Sequence, residues 1–270
     1  MTAPPATPPP GAKVALAVEQ LSIRFGGLLA VEDLTFVVRE GEVLSLIGPN
    51  GAGKTSAFNA ITGYIQAASG SVRYRGTLLN GLRPNQVADL GVVRTFQKTS
   101  VFSGQSVLDN ILIGLHRGSS QSALAILLGL PSVRRDERRL REEAHEILRF
   151  VGLDARSNEL GGALPYGEQR LLEVAVALAA KPTLLLLDEP VSGMNPAETD
   201  AFMKLLAAIR TRDITVLLVE HDMRMVMGVS DRVVVLNQGR IIADGPPSSI
   251  QNNTEVIRAY LGEKFARAHG

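Results

Sequence analysis

The 270-residue chain contains no cysteine. A disulfide framework, a zinc–thiolate centre and a thiol nucleophile are therefore excluded. It also lacks an excess of either charge: 28 Lys and Arg stand against 27 Asp and Glu, a net charge of +1. That balance gives no support for a nucleic-acid partner held by phosphate neutralisation. No apolar run reaches the roughly 18 residues that a membrane-crossing helix needs; the nearest, Ala123 to Leu130, holds eight residues including a glycine. The opening MTAPPATPPPG has neither the basic start nor the apolar middle of a secretory signal. With five prolines among its first ten residues, it reads as an extended tail, residues 1–12.

What is present is ordinary for a globular protein: 45% hydrophobic and 20% charged residues exclude disorder of the whole chain, and the length suits one large domain or two small ones. Four apolar runs end on polar residues. Val43 to Ile47 leads into Gly48, Leu184 to Leu187 into Asp188, and Ile214 to Val219 into Glu220 and His221; the fourth is Arg232 to Leu236. Uniformly apolar strands predict a mostly parallel sheet covered by helices, with ligands at its carboxyl edge. Shorter runs at Leu21 to Phe25, Leu34 to Val38 and Val72 to Arg75 predict antiparallel strands with turns such as Glu40-Gly41. From Ser106 to Val151 the pattern is helical. Leu140, Ala144, Ile147, Leu148 and Val151 share one face, opposite a solvated face rich in Arg and Glu. No internal repeat is present.

The stretch Gly48-Pro49-Asn50-Gly51-Ala52-Gly53-Lys54-Thr55 fits GxxxxGK[ST] between an apolar strand and a helical pattern that opens with Thr55 and Ser56. Glycines let main-chain N–H groups turn inward around phosphate oxygens, and the helix N-terminus adds its dipole. Lys54 would reach the β- and γ-phosphates of a nucleoside triphosphate, and the Thr55 hydroxyl would ligate Mg2+. Downstream, Asp188-Glu189 closes a buried strand. Successive strand side chains point opposite ways, so Asp188 can serve Mg2+ through water while Glu189 faces an attacking water as general base.

With these motifs in their order, residues Val14 to Glu263 resemble the ATP-binding subunits of ABC transporters, and more narrowly those of branched-chain amino-acid uptake systems. Stretches such as RFGGLLAVEDL, SVLDNILIGLH and NNTEVIRAYLGE carry the narrower likeness. The resemblance implies an α/β fold: a P-loop NTPase core with a mixed or parallel sheet, an antiparallel β subdomain and an inserted α-helical subdomain. On that scheme residues 13–97 hold the β subdomain and the first part of the core. Residues 98–163 form the helical subdomain, and 164–270 hold the signature, the rest of the core and a C-terminal helix. It also implies that Phe25 stacks on adenine, that Gln97 in VVRTFQ contacts Mg2+ and the water, and that His221 contacts the γ-phosphate. Leu164, Pro165, Tyr166, Gly167 and Glu168 occupy the ABC signature, which meets a partner subunit's nucleotide, with Pro165 where Ser is usual. Val191 to Pro196 matches the D-loop, with Asn195 where Asp is frequent.

From the same resemblance come the expected cofactors, ATP and Mg2+, and the expected partners. These are a second ATPase subunit, membrane permease subunits and, indirectly, an extracytoplasmic solute-binding protein, with no nucleic acid. The place implied is the cytoplasmic face of the membrane. Urea, short amides or lipopolysaccharide stand as alternative cargoes, since cargo contacts lie on other subunits. An ABC ATPase acting on DNA or ribosomes is a more distant alternative. Residues 98–163 lack the sustained heptads of a coiled-coil insertion, and the chain has a single P-loop.

Overall fold

A computed structural model describes residues 13–95, 101–116 and 131–260. Among these, residues 13–94, 183–189 and 203–260 form one compact unit, and residues 95, 101–116, 131–182 and 190–202 form another.

The first unit contains two sheets. Val14–Phe25 (β1), Leu28–Arg39 (β2), Ser69–Tyr74 (β4) and Thr77–Leu78 (β5) make an antiparallel sheet in the order β2-β1-β4-β5. The second sheet has the order β10-β9-β3-β8-β7-β6. It is built from Val43–Ile47 (β3), Val92–Arg94 (β6), Leu184–Asp188 (β7), Thr215–Val219 (β8), Arg232–Asn237 (β9) and Arg240–Gly245 (β10). Its pairings are parallel except for the antiparallel edge hairpin of β9 and β10. Every residue of β3, β7 and β8 is buried, as their unbroken apolar runs require of central strands covered on both faces. The predicted strands Leu21 to Phe25 and Leu34 to Val38 are present as parts of longer ones, and the third keeps Val72 to Tyr74, with Arg75 in the turn that follows. The short β6 and the hairpin strand β10 are additional; three residues are too few to show a period.

Helix Lys54–Ile61 (α1) follows β3 and turns Phe58, Ala57 and Ile61 into the main core, where they meet the inner faces of both sheets. Burying a side chain the size of Phe58 contributes about 1.5–3 kcal/mol. Helix Pro84–Asp89 (α2) precedes β6.

The second unit packs three helices, Val107–His116 (α3), Pro131–Val151 (α4) and Tyr166–Ala179 (α5). The helical pattern expected from Ser106 to Val151 is thus two helices among the described residues. The stripe foreseen on α4 is buried, Leu140, Ala144, Ile147, Leu148 and Val151 alike, while Arg134, Arg135, Glu137, Arg138, Arg139, Arg141 and Glu142 are exposed. Helix Pro196–Arg210 (α6) begins in this unit and ends in the first. Met223–Val229 (α7) and Pro247–Gln251 (α8) complete the first unit's helices named here.

Candidate active site

The six-stranded sheet delivers its polar residues to one edge. The parallel strands β3, β7 and β8 end there in Gly48, in Asp188 followed by Glu189, and in Glu220 followed by His221. This is the carboxyl edge, where covered parallel sheets take their ligands.

The loop after β3 is held by backbone conformations that only glycine adopts cheaply. Gly48 has φ +151°, and a Cβ there would lie 2.1 Å from the Leu236 carbonyl oxygen. Gly53 has φ +101°, and its Cβ would come within 2.7 Å of the Ala30 carbonyl oxygen. Side chains at either place would push the loop off the strands beneath it. Ala52 is buried, Asn50, Gly51 and Thr55 are exposed, and Ser56 is half-buried in the first turn of α1. The Lys54 ammonium is buried and donates to the carbonyl oxygens of Gly48 at 2.6 Å and Pro49 at 2.9 Å. The loop therefore curls around its own lysine, with the α1 N-terminus at its mouth.

Asp188 is 1% exposed. Its Oδ2 accepts a hydrogen bond from Arg94 at 2.6 Å, whereas Oδ1 is buried without a hydrogen-bond partner. An unsatisfied carboxylate oxygen in a dry site is costly. A water-carrying divalent cation would satisfy it, and the acid and hydroxyl donors of Asp188 and Thr55 suit a hard ion such as Mg2+. Glu189 breaks the strand with φ +47° and donates its N–H to the Val219 carbonyl at 2.8 Å. That turn takes its carboxylate to half-exposure, 3.9 Å from His221 Nδ1. A non-glycine residue in this backbone region stores on the order of 1–3 kcal/mol, and such strain gathers at functional sites. His221 is 61% exposed at its side chain. Its loop is anchored by the buried Glu220 carboxylate, which accepts from the N–H groups of His221 at 2.7 Å and Asp222 at 3.1 Å.

Phe25 ends β1 and is 49% exposed. Gln97 lies outside the described residues.

The signature stretch belongs to the second unit. Helix α5 starts at Tyr166, with Pro165 in extended conformation as its N-cap. Proline is tolerated there because the first turn needs no N–H from it. Leu164 is buried, Pro165 and Tyr166 are exposed, and Gly167 is buried. The Tyr166 hydroxyl accepts from Arg170 Nη2 at 2.6 Å and Nε at 3.0 Å. Glu168 pairs with Arg156 at 2.7 Å. A Cβ on Gly167 would sit 2.7 Å from the Glu198 carboxylate, so a larger residue there would have to displace that side chain. Asn195 caps α6. Its Oδ1 accepts from the N–H groups of Ala197 at 2.9 Å and Glu198 at 3.0 Å, and Glu198 returns a bond to the Asn195 N–H at 2.8 Å. This reciprocal cap gives Asn195 a structural reason that Asp would serve equally.

The structure thus gathers Gly48 to Ser56, Asp188, Glu189 and His221 at one sheet edge. Two residues behind that edge, Arg94 and its anchor Asn59, carry no signal in the sequence, whereas Glu220 stands where the apolar run before it ends. Arg94 stands in the quoted VVRTFQ stretch, but no local pattern shows what it reaches.

Residues 31–192 match the ABC transporter family, and residues 240–266 match the family of branched-chain amino acid ATP-binding cassette transporters. The high-affinity branched-chain amino acid transport ATP-binding protein BraF of Pseudomonas aeruginosa is 46% identical over 249 residues, which is 92% of this chain and 98% of that protein. The high-affinity branched-chain amino acid transport ATP-binding protein LivG of Escherichia coli K12 is 44% identical over the same coverage. The ADP conformation of MJ1267, an ATP-binding cassette of an ABC transporter, superposes with a TM-score of 0.81 at 29% identity, covering 92% of this chain and 99% of that one. Sheet, loop and acid pair define an ATPase of the ATP-binding-cassette class. The chain belongs to the ABC transporter family, in the branch that holds BraF and LivG. Among the described residues, no helix is long and apolar enough to cross a membrane.

Proposed function

We propose that this chain is the ATP-hydrolysing subunit of an importer for branched-chain amino acids, working at the cytoplasmic face of the membrane beside permease subunits and a second ATPase subunit. The reading is carried by one observation: the Gly48–Thr55 loop shares a sheet edge with Asp188, Glu189 and His221. The cargo rests on likeness to BraF and LivG and on the match of residues 240–266.

The loop N–H groups and the α1 dipole take the phosphates, and Lys54 leaves the Gly48 and Pro49 carbonyls for the β- and γ-phosphate oxygens. Adenine stacks on Phe25. Thr55 and Asp188 would hold Mg2+, with Gln97 as a further ligand; the ion supplies charge neutralisation for the phosphoryl group. Glu189 accepts the proton of the attacking water, and His221 donates to the γ-phosphate.

Leu164 to Glu168 present the α5 N-terminus to the triphosphate bound on the partner subunit. ATP then favours a closed dimer by binding it better than the open state. Reversing a 1:99 ratio takes about 5.5 kcal/mol of differential affinity. Loss of the γ-phosphate reopens the pair, and that motion is the work delivered to the permease.

The test is reconstitution with permease subunits of a branched-chain amino-acid importer. ATPase activity should rise with a leucine-, isoleucine- or valine-loaded binding protein. Stimulation by urea, a short amide or lipopolysaccharide in its place would overturn the cargo.

A further inference from the structure

Arg94 ends β6, is 7% exposed at its side chain, and reaches three ways inside the first unit. Its Nη2 donates to Asp188 Oδ2 at 2.6 Å. Its Nη1 donates to Asn59 Oδ1 at 2.7 Å, with Thr62 Oγ1 farther off at 3.4 Å. Its guanidinium carbon lies 5.5 Å from the centre of the Phe58 ring. Asn59, Phe58 and Thr62 all belong to α1 or its last turn, and α1 is the helix that opens with Lys54 and Thr55.

One side chain therefore joins the helix behind the phosphate loop to the acid at the end of β7. The planar fork of Arg bonds Asn59 and Asp188 at once, which an ammonium cannot match in geometry. Its grip on Oδ2 leaves Oδ1 as the one oxygen of Asp188 without a partner. Resting on the ATPase reading above, we propose that Arg94 is a positioning residue for hydrolysis. It fixes the rotation of the Asp188 carboxylate so that Oδ1 alone faces the cation site, and it sets the separation between Asp188 and Thr55 through Asn59. Partners that orient metal-binding groups from behind are worth roughly 10–100-fold in activity or metal affinity.

The experiment uses the full chain with Arg94→Met, Arg94→Lys and Asn59→Ala. Steady-state ATPase assays separate kcat from KM, and electron paramagnetic resonance follows Mn2+ bound with a non-hydrolysable ATP analogue. Arg94→Met should lower kcat about tenfold or more with KM for ATP little changed, and should broaden the Mn2+ spectrum. Analogue binding in EDTA should stay at the wild-type level, since the phosphate loop is intact. Arg94→Lys should recover part of kcat by restoring the charge. Asn59→Ala, which keeps the ion pair and loosens its anchor, should give a smaller change in the same direction. Wild-type kcat and an unchanged Mn2+ spectrum in Arg94→Met would overturn the proposal. Should Arg94→Met fail to fold, wild-type behaviour of both Arg94→Lys and Asn59→Ala would overturn it equally. Absence of ATP turnover and Mn2+–nucleotide binding in the wild-type chain would instead refute the ATPase reading beneath it.

Discussion

The two ends of the six-stranded sheet treat their buried charges in opposite ways. At the amino end, Arg232 at the head of β9 donates to Glu42 Oε1 at 2.8 Å, to both oxygens of Asp244 at 2.9 Å, and to the Val37 carbonyl. Glu42 Oε2 also accepts from the Arg39 N–H at 2.7 Å. Burial disfavours the Arg232 charge, yet the hydrogen bonds and charges of Glu42 and Asp244 outweigh it and hold its pKa above the ordinary arginine value. Each carboxylate oxygen named there has a protein partner. At the carboxyl end, Arg94 satisfies one oxygen of Asp188 and the other is left open. The backbone there is strained at Glu189, and the Glu189 carboxylate and the His221 ring reach solvent. One end spends its polar groups on holding strands together; the other holds some in reserve for a ligand.

That contrast is open to attack by mutation. Glu189→Gln removes the proposed base and should lower turnover by on the order of 10²–10⁴-fold while ATP binding persists. With ATP and Mg2+ the variant should elute as a dimer in gel filtration; wild-type turnover and elution would contradict the role. Arg232→Met strands two buried carboxylates at the amino end. It should cost about 3–5 kcal/mol of stability, read as a lowered denaturant midpoint, with kcat at low temperature near wild type. A midpoint unchanged by the substitution would show that the network is not structural support. Asn195→Ala removes the cap of α6 and should cost about 0.5–2 kcal/mol, with Asn195→Asp close to neutral. Phe25→Ala should weaken ATP binding by a few-fold, in line with about 0.5–1.5 kcal/mol for ring stacking, and Phe25→Tyr should leave it intact. Equal affinity for all three chains would remove Phe25 from the adenine site.

How far the sequence reveals these two ends depends on distance along the chain. The Gly48–Thr55 loop and the acid pair are legible because their residues are contiguous and their flanking strands are uniformly apolar. The helical stripe on α4 is legible for the same reason, since its period survives in one segment. Arg94 is not, because its partners Asn59 and Asp188 lie 35 and 94 residues away. Glu42 and Arg232 are likewise 190 residues apart, so the amino-end network has no local signature. Pro165 is a partial case. Its fixed φ suits a helix start, and the helix begins at Tyr166, directly after it.

The proposed ATPase cycle requires the loop from Gly48 to Thr55 to be a triphosphate cradle that Lys54 serves. Equilibrium titration of a fluorescent ATP analogue into the wild-type chain and Lys54→Ala tests this most directly. Saturable binding by the wild type that Lys54→Ala loses, in a variant with an unchanged melting temperature, is the predicted result. Equal affinity in the two chains would contradict the account.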